Sequence, residues 1–254
     1  MNLAEYSVGD GPNLTLVHGW GFGAAAWQPV AHLLADFFTV HVVDLPGYGA
    51  TPPVLENSLE SLADALAETL PPRAMLCGWS LGALVCMACA ARHPRKVARM
   101  VLASATACFV RREGWPEALP RARLDQFIEQ LETDPEALIK HFSTLMNHGD
   151  MHARALARAS RQRGEIPAAA ATLRAGLELL GEADLRRLAP EIMQPTLLVH
   201  GSVDPLMPSA AAQRLARLLH EGSVDIFEGS AHAPFASDPV RFVDAVSRFA
   251  GVAS

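Results

Sequence analysis

A serine flanked by two glycines stands between an apolar run and a helical stretch, an arrangement that can expose a nucleophile. The segment Gly78-Trp79-Ser80-Leu81-Gly82 fits the pattern G-x-S-x-G, the elbow that places a serine on a sharp turn between a strand and a helix. The glycines leave room for the close backbone of such a turn, and the helix N-terminus directs N–H groups at the serine oxygen. We therefore predict that Ser80 is the nucleophile of ester hydrolysis, with a chance occurrence of the pattern as the alternative.

A serine hydroxyl attacks poorly unless a base removes its proton, so Ser80 requires a histidine nearby. The chain has ten histidines, and His232 stands in a loop between the last predicted strand and the last predicted helix. In hydrolases with this elbow the triad follows the order serine, acid, histidine along the chain. Asp204, in the loop after the preceding strand, is therefore the predicted acid that orients the imidazole, with Asp225 as the alternative. His200, at the end of a strand, is interpreted as structural.

Hydrolysis through a serine also needs hydrogen-bond donors for the negative charge that develops on the substrate oxygen. The loop His18-Gly19-Trp20-Gly21 follows an apolar strand, where proteins with this elbow supply one backbone N–H. We predict that the N–H groups of Trp20 and of Leu81, the residue after the nucleophile, form the oxyanion hole. His18 is expected to brace the loop. The Trp20 ring is a candidate pocket wall, with core packing as the alternative.

Apolar strands that could position these residues alternate with helical stretches in both parts of the chain. Continuous apolar strands between helices indicate a parallel sheet that helices cover on both faces. The sequence therefore predicts an α/β core with a mostly parallel sheet, formed by residues 1–108 and 185–254. Ser58 is a predicted N-cap. Strands are predicted over 13–18, 39–44, 74–79, 97–103, 195–200 and 224–227, and helices over 24–35, 58–70, 81–92, 209–219 and 239–249.

Between these two parts lies a stretch without any strand signal, residues 109–184, which we call the predicted cap. An all-helical insertion in an α/β pattern is expected to lie over the carboxyl edge of the sheet, where ligands of such sheets bind. The elbow, the strand–helix alternation and this insertion together indicate the α/β-hydrolase fold. Helices of the predicted cap are expected over 121–132, 135–146, 152–163 and 167–180.

Charge and composition limit the partners that the protein can have. The 254-residue chain has 21 basic and 27 acidic residues and a formal net charge of −6, which disfavours general nucleic-acid binding. No apolar run approaches the roughly 18 residues that span a bilayer, and the N-terminus lacks the features of a signal peptide. Cys86 and Cys89 form a C-x-x-C pattern in an apolar run, interpreted as buried thiols, with redox or metal chemistry as the alternative. We expect a cytoplasmic monomer without metal or cofactor that binds neither nucleic acid nor membrane.

The motifs resemble those of the pimeloyl-[acyl-carrier protein] methyl ester esterase family of biotin synthesis, almost from end to end of the chain. The matching stretches include segments 16–21, 43–49, 78–82 and 231–235. The first three are shared by many α/β-hydrolases, and the tryptophans within the elbow and the oxyanion loop are more particular. The more specific matches to the family are segments 103–109, 114–116, 176–180 and 184–186.

The resemblance implies hydrolysis of the methyl ester on a pimeloyl chain that is carried by acyl carrier protein, with release of methanol. It also implies that one segment of the predicted cap contacts the acyl chain, together with Trp20 and His232. The carrier protein is expected to contact Arg154 and Arg158, while His141 replaces a third arginine of the family. The residues that match the acyl-contacting segment are Phe142, Ser143, Thr144, Leu145 and Met146.

The charges along the predicted cap independently favour an acidic partner. Residues 140–174 carry six basic and two acidic side chains, so this stretch is about +4 and the remainder of the chain about −10. Arg154, Arg158 and Arg161 share one helical face because they are four and three residues apart. A basic surface on an acidic body would steer an acidic carrier protein to the site. The alternative is a helix face that arginines merely keep solvated.

Two other functions are compatible with the same residues. A general short-chain carboxylesterase or a C–C bond hydrolase would use the triad on a free small molecule. A ligand-binding protein without catalysis would keep the fold, although the complete set of Ser80, Asp204 and His232 argues against it. A dehalogenase is disfavoured because the nucleophile position holds a serine and not an aspartate.

Overall fold

A mostly parallel sheet of seven strands forms the centre of the protein. The computed structural model describes residues 3–54, 56–162 and 168–252. Within them the strand order is β1-β3-β2-β4-β5-β6-β7, and every neighbouring pair is parallel except the first, which is antiparallel. The parallel sheet predicted from the sequence is thus confirmed. The strands are β1 (Glu5–Val8), β2 (Asn13–Val17), β3 (Thr39–Val43), β4 (Ala74–Trp79), β5 (Val97–Ala103), β6 (Thr196–Gly201) and β7 (Gly222–Phe227).

Helices cover the sheet on both faces, and the central strands are buried as a result. Every residue of β4 and β6 is buried, as expected of parallel strands between two helical layers. The helices after β2, β3, β4, β6 and β7 lie in the predicted places within a few residues, and Ser58 caps its helix by accepting from the N–H of Ser61 at 3.1 Å. These helices are α1 (Gln28–Leu34), α2 (Leu59–Thr69), α3 (Leu81–Arg92), α8 (Ser209–Leu218) and α10 (Pro239–Ala250). The four-residue helix α9 (Pro234–Ser237) lies in a segment predicted as a loop, because one turn is too short to show a helical period.

The helix α3 is apolar around its whole circumference, and it follows the elbow directly. Its residues from Leu81 to Ala90 are all buried, including Cys86 and Cys89. Such a helix belongs in the interior because no side of it can face water without cost. It packs against α2 and against β4 and β5. The N-terminus of α3 is therefore held rigidly beneath Ser80.

The first strand, β1, was not predicted from the sequence. Three of its four residues are exposed, and it pairs antiparallel with β3 at the edge of the sheet. An edge strand of this kind has no apolar run or apolar alternation to reveal it. Strand β7 also begins two residues earlier than predicted, because Gly222 and Ser223 are exposed although they pair with β6.

Four α-helices and a short 3-10 helix (Ala189–Glu191) lie in the described part of the connection from β5 to β6, and no strand is present there. Helix α4 packs against α5 and α7, and α5 packs against α6. Among the described residues no helix combines the length and the apolar character that a membrane crossing requires. The division of the chain at 109–184 stays a prediction. The four helices are α4 (Arg121–Thr133), α5 (Pro135–Leu145), α6 (Ala153–Gln162) and α7 (Ala170–Glu182).

Candidate active site

Ser80 lies on a strained turn between β4 and α3. Its backbone angles are φ 53° and ψ −113°, a conformation that costs of order 1–3 kcal/mol in a residue other than glycine and collects at functional sites. The N–H of Ser80 donates to the carbonyl oxygen of Ala103 at 3.0 Å. A Cβ atom at Gly78 would lie 2.6 Å from the carbonyl oxygen of Gly82, and one at Gly82 would lie 2.4 Å from that of Val17. The predicted strand–turn–helix arrangement is therefore present around Ser80, and both glycines are required by it.

A buried hydrogen bond joins the predicted base to the predicted acid. The Nδ1 atom of His232 lies 2.7 Å from Oδ2 of Asp204. The other carboxylate oxygen, Oδ1, accepts from the N–H groups of Leu206 and Met207 at 2.9 and 3.0 Å. Burial raises the pKa of Asp204, but electrostatic attraction to His232 and hydrogen bonds from His200 and His232 outweigh it and leave the pKa below its usual value. The acid is thus an ionised acceptor, which assigns the proton of the pair to Nδ1 of His232.

The opposite nitrogen of His232, Nε2, is buried and has no hydrogen-bond partner among the described residues. With the proton on Nδ1, this nitrogen carries a lone pair and can accept a proton. A buried acceptor without a partner costs free energy, so this one calls for an explanation, and a proton-accepting role supplies it. The geometry is that of an imidazole prepared for general-base chemistry.

The two alternatives considered from the sequence occupy other environments. His200 is buried, and its Nε2 donates to the carbonyl oxygen of Met207 at 2.9 Å while lying 3.4 Å from Oδ2 of Asp204. It therefore supports the acid, in agreement with its structural interpretation. Asp225 lies on β7 and pairs with Arg241 at 2.7 Å. The structure thus brings Asp204 to His232 and places Asp225 in a separate ion pair.

The loop that contains Trp20 is held by a neutral histidine. The Nδ1 of His18 donates to the carbonyl oxygen of Gly19 at 2.9 Å, and its Nε2 accepts from the N–H of Leu45 at 3.0 Å. Burial lowers the pKa of His18 to about 4, so the ring is uncharged near neutral pH and can accept at Nε2. His18 braces the loop, as the sequence suggested.

Tyr48 also supports this loop, and sequence reasoning missed it. Its hydroxyl oxygen accepts from the N–H of Gly21 at 3.3 Å, and its ring packs edge-on against His18 at 4.7 Å. The only signal in the sequence is its place in the shared segment 43–49. Because β2 and β4 are neighbours with Val17 opposite Gly78, the loop and the elbow follow adjacent strands. The backbone N–H groups of Trp20 and Leu81 as oxyanion donors stay a prediction.

The Trp20 ring connects this loop to the predicted cap. It is buried, its Nε1 donates to the carbonyl oxygen of Leu173 at 2.8 Å, and it packs edge-on against Phe142 at 4.9 Å. Gly176 lies so close that a Cβ atom there would be 2.6 Å from the indole. A small pocket adjoins this region, at the junction of the elbow, the 43–49 segment and α7. It is lined by Leu45, Pro46, Tyr48, Asn57, Leu62, Leu81, Thr172 and Gly176.

The five residues expected to contact an acyl chain do not share one environment. Phe142, Ser143 and Met146 are buried and Leu145 is partly buried. Thr144 is exposed, and its hydroxyl donates to the carbonyl oxygen of Lys140 in the same helix at 3.0 Å. The structure therefore does not bring Thr144 to the buried site, because it lies on the outer side of α5.

Arg154 and Arg158 are exposed on α6, one helical turn apart. Neither forms an ion pair with a residue that the structure describes. Arg163 and Glu165 lie outside the described residues, as does the side chain of Arg161. Arg174 does not add to a free positive surface, because it pairs with Glu132 and, at 2.9 Å, with Glu178. The basic surface suggested by residue counts is thus concentrated on α6.

The cysteines are placed as the buried thiols that the sequence suggested. All four are buried, and burial raises the pKa of Cys89 to about 12, so its thiol stays protonated at neutral pH. Reactive cysteines require the opposite shift of pKa. Among the described residues no group of three or more histidine, cysteine or acidic side chains is arranged to hold a metal ion.

Known proteins resemble this chain over nearly its full length. The model of the Alpha/beta hydrolase family matches residues 16–245. A pimeloyl-[acyl-carrier protein] methyl ester esterase of Nitrosomonas europaea is 39% identical over 240 residues, covering 93% of this chain and 95% of that protein. An enzyme of the same name from Aeromonas hydrophila is 36% identical over 255 residues, covering 99% and 100%.

Solved structures agree in fold at lower sequence identity. An esterase from Exiguobacterium antarcticum superposes with a TM-score of 0.86 at 20% identity, covering 98% of this chain and 95% of that one. A bromoperoxidase from Bacillus anthracis gives a TM-score of 0.89 at 19% identity, covering 97% and 94%. From the family model and the full-length relatives together, the chain belongs to the alpha/beta hydrolase family, within it to the pimeloyl-[acyl-carrier protein] methyl ester esterases, and is a carboxylic ester hydrolase.

Proposed function

We propose that the protein hydrolyses the methyl ester of pimeloyl-acyl-carrier protein to the free acid and methanol, as a step of biotin synthesis. The observation that carries the chemistry is the 2.7 Å hydrogen bond between His232 and Asp204, with the opposite imidazole nitrogen unpartnered. The choice of substrate is supported by the relatives of that name, which match 93–99% of the chain.

The reaction would proceed through an acyl-enzyme on Ser80. The Oγ of Ser80 attacks the ester carbonyl carbon as Nε2 of His232 takes its proton. The N–H groups of Trp20 and Leu81 stabilise the oxyanion, and the tetrahedral intermediate collapses with loss of methanol, which receives the proton from His232. Water then attacks the acyl-enzyme with His232 as base, releasing the carboxylate and restoring Ser80.

The carrier protein would dock on α6. Arg154 and Arg158 offer two exposed positive charges without an ion-pair partner among the described residues, so they are available to an acidic protein. Charges in such a position act mainly on the rate of association. We further propose that the enzyme acts in the cytoplasm as a monomer, since one chain supplies every residue of the proposed triad.

The decisive experiment compares two substrates that share one reacting ester. Pimeloyl methyl ester attached to acyl carrier protein and a free short methyl ester are hydrolysed by the same enzyme preparation, with Ser80→Ala as the blank. We expect kcat/KM to be at least about tenfold higher for the carrier-bound ester, from steering and docking. Equal values would show a general short-chain carboxylesterase. Tight binding without turnover would show a ligand-binding protein.

A further inference from the structure

A buried carboxylate outside the proposed triad lies at the end of the connection between α5 and α6. Asp150 is buried, and both of its oxygens accept hydrogen bonds. Oδ2 accepts from the N–H of Ala231 at 2.8 Å, while Oδ1 accepts from the N–H of His152 at 2.7 Å and from Oγ of Ser237 at 3.0 Å. Buried carboxylates are rare unless they are paired or hydrogen-bonded, so this site is built around the charge.

Two further main-chain hydrogen bonds, on either side of Asp150, join its segment to the loop that contains Ala231 and His232. The carbonyl oxygen of Met146, at the end of α5, accepts from the N–H of His232 at 3.1 Å. The N–H of Met151 donates to the carbonyl oxygen of Gly229 at 3.0 Å. Segment 146–151 therefore pairs with segment 229–232 at three places, two of which are the consecutive amides of Ala231 and His232.

The main-chain N–H of the base is thus held from the predicted cap, and its side chain from the core. Asp204 fixes the imidazole at Nδ1, but the amide of His232 and the one before it are bonded to segment 146–151. The bond from Ala231 ends on an ionised oxygen, and such hydrogen bonds are about twice as strong as neutral ones. Reacting groups must be held within about 0.5 Å of the productive geometry. Loss of this contact would therefore displace the Nε2 atom of His232 from its position for catalysis.

We propose that Asp150 is a positioning residue for His232, through which the connection between α5 and α6 sets the place of the base. This inference rests on the proposed function, since His232 is the base of that mechanism. Asp150 does not touch the imidazole. It acts through the amide of Ala231 and through the hydroxyl of Ser237. Ala231 begins the short stretch that contains His232 and α9, and Ser237 ends it.

The test replaces Asp150 by the residue of nearly identical shape. In Asp150→Asn an NH₂ group must face either the N–H of Ala231 or the two donors at Oδ1, so one hydrogen bond becomes a donor–donor contact. On a small neutral ester we expect kcat to fall by about ten- to a hundredfold, as for a small misplacement of a catalytic group. KM should stay within about twofold because the pocket is unchanged.

Asp134→Asn is the matched control. Asp134 caps α5 by accepting from the N–H of Ala137 at 2.9 Å and is exposed. It undergoes the same chemical change in the same helical region, without contact to segment 229–232. Its kcat should equal that of the parent. The low-field proton resonance of Nδ1 in His232 should move or broaden in Asp150→Asn and stay unchanged in Asp134→Asn.

Each result distinguishes positioning from its alternatives. A folded Asp150→Asn protein with parental kcat and an unchanged Nδ1 resonance would overturn the proposal, as would a rise in KM alone. If the parent protein hydrolyses no ester but the resonance still responds, the proposed function fails and the positioning stands. If Asp150→Asn does not fold, hydrogen exchange of the backbone amides in the unaltered protein tests the proposal instead. Slow exchange at Ala231 and His232 supports the contact, and exchange as fast as in exposed loops overturns it.

Discussion

The indole N–H of Trp79 donates a hydrogen bond of 2.8 Å to the main-chain carbonyl oxygen of His232. Trp79 is the last residue of β4 and directly precedes Ser80, so the strand that ends in the nucleophile also holds the loop of the base. The two rings lie 5.9 Å apart. A tryptophan within the elbow therefore fixes the distance between two predicted triad members, in addition to filling the core.

Replacing Trp79 by phenylalanine should harm catalysis more than the same change elsewhere. Trp79→Phe leaves the carbonyl oxygen of His232 without its donor, and we expect kcat to fall about tenfold through misplacement of the base. Trp27→Phe is the control, because the Nε1 of Trp27 is buried without a partner among the described residues. Urea unfolding should show Trp79→Phe to be destabilised by about 1–2 kcal/mol more than Trp27→Phe. Equal effects of the two changes on kcat would contradict this role.

Loss of the nucleophile or the base should remove most of the turnover. Ser80→Ala and His232→Ala should each lower kcat by several powers of ten, as triad knockouts do. Ser58→Ala serves as the control, because it removes a serine hydroxyl that caps α2 and has no part in the predicted triad. Ester hydrolysis at saturating substrate measures the effect. Activity of Ser80→Ala within tenfold of the parent would mean that the triad is wrongly assigned.

The two candidate acids should separate clearly in activity. Asp204→Asn removes the charge that orients His232, and we expect kcat to fall by about 10³–10⁴, somewhat less than for Ser80→Ala. Asp225→Asn weakens only a partly exposed pair with Arg241, so its kcat should change less than twofold. The same ester assay compares both variants. If Asp225→Asn proved the more damaging, the acid would have to be reassigned.

Reversing the charge on α6 should affect one substrate and spare the other. Arg154→Glu with Arg158→Glu should lower kcat/KM for the carrier-bound ester, and kcat less, because exposed charges act on association. Hydrolysis of a small neutral ester should hardly change. Added salt should weaken the parent's use of the carrier-bound ester, since the screening length at 0.15 M is only about 8 Å, and the variant should lose much of this dependence. Equal losses on both substrates would indicate damage to the fold.

Stability should fall as the pH drops through the range in which unfolded histidine takes up a proton. Burial lowers the pKa of His18 from 6.5 to about 4, so between these values the unfolded chain binds the proton and the folded chain does not. The free energy of unfolding should decrease by roughly 2 kcal/mol between pH 7 and pH 5 on account of His18. Urea unfolding of the parent and of His18→Asn at both pH values isolates the part of this loss in free energy of unfolding that is due to His18. An equal loss in the two proteins would show that His18 is not responsible.

The parts of the fold that bury continuous apolar segments could be predicted from the sequence. Strands β2 to β7 were recognised because their apolar runs report burial between two helical layers, whereas β1 was missed because its side chains are mostly exposed. Thr144 shows that the sequence did not predict which side chains of a helix face the interior. Its neighbours Ser143 and Leu145 differ from it in burial, and only the orientation of α5 on the core decides which of them faces inward.

The predicted site residues came from local patterns, and the residues missed depend on tertiary contacts. Ser80 lies within a five-residue pattern, and the chain order of the triad pointed to His232 and Asp204. Asp150 has no such pattern, and the charge pattern suggested only an acidic residue among arginines. Its bonds to Ala231 and Ser237 join residues more than eighty positions apart, which no short-range pattern reports.

The direct pairing of β5 with β6 has a consequence for biosynthesis. Residues 104–195 lie between these two neighbouring strands, and at about 5–20 residues per second they take roughly 5–20 s to be translated. During that interval the open edge of β5 presents unpaired N–H and C=O groups, the feature through which sheets aggregate. The helices made in the meantime can pack among themselves, since α4 contacts both α5 and α7. The nascent chain therefore holds an unfinished sheet until β6 leaves the ribosome, and until then this edge is open to pairing with a strand of another chain.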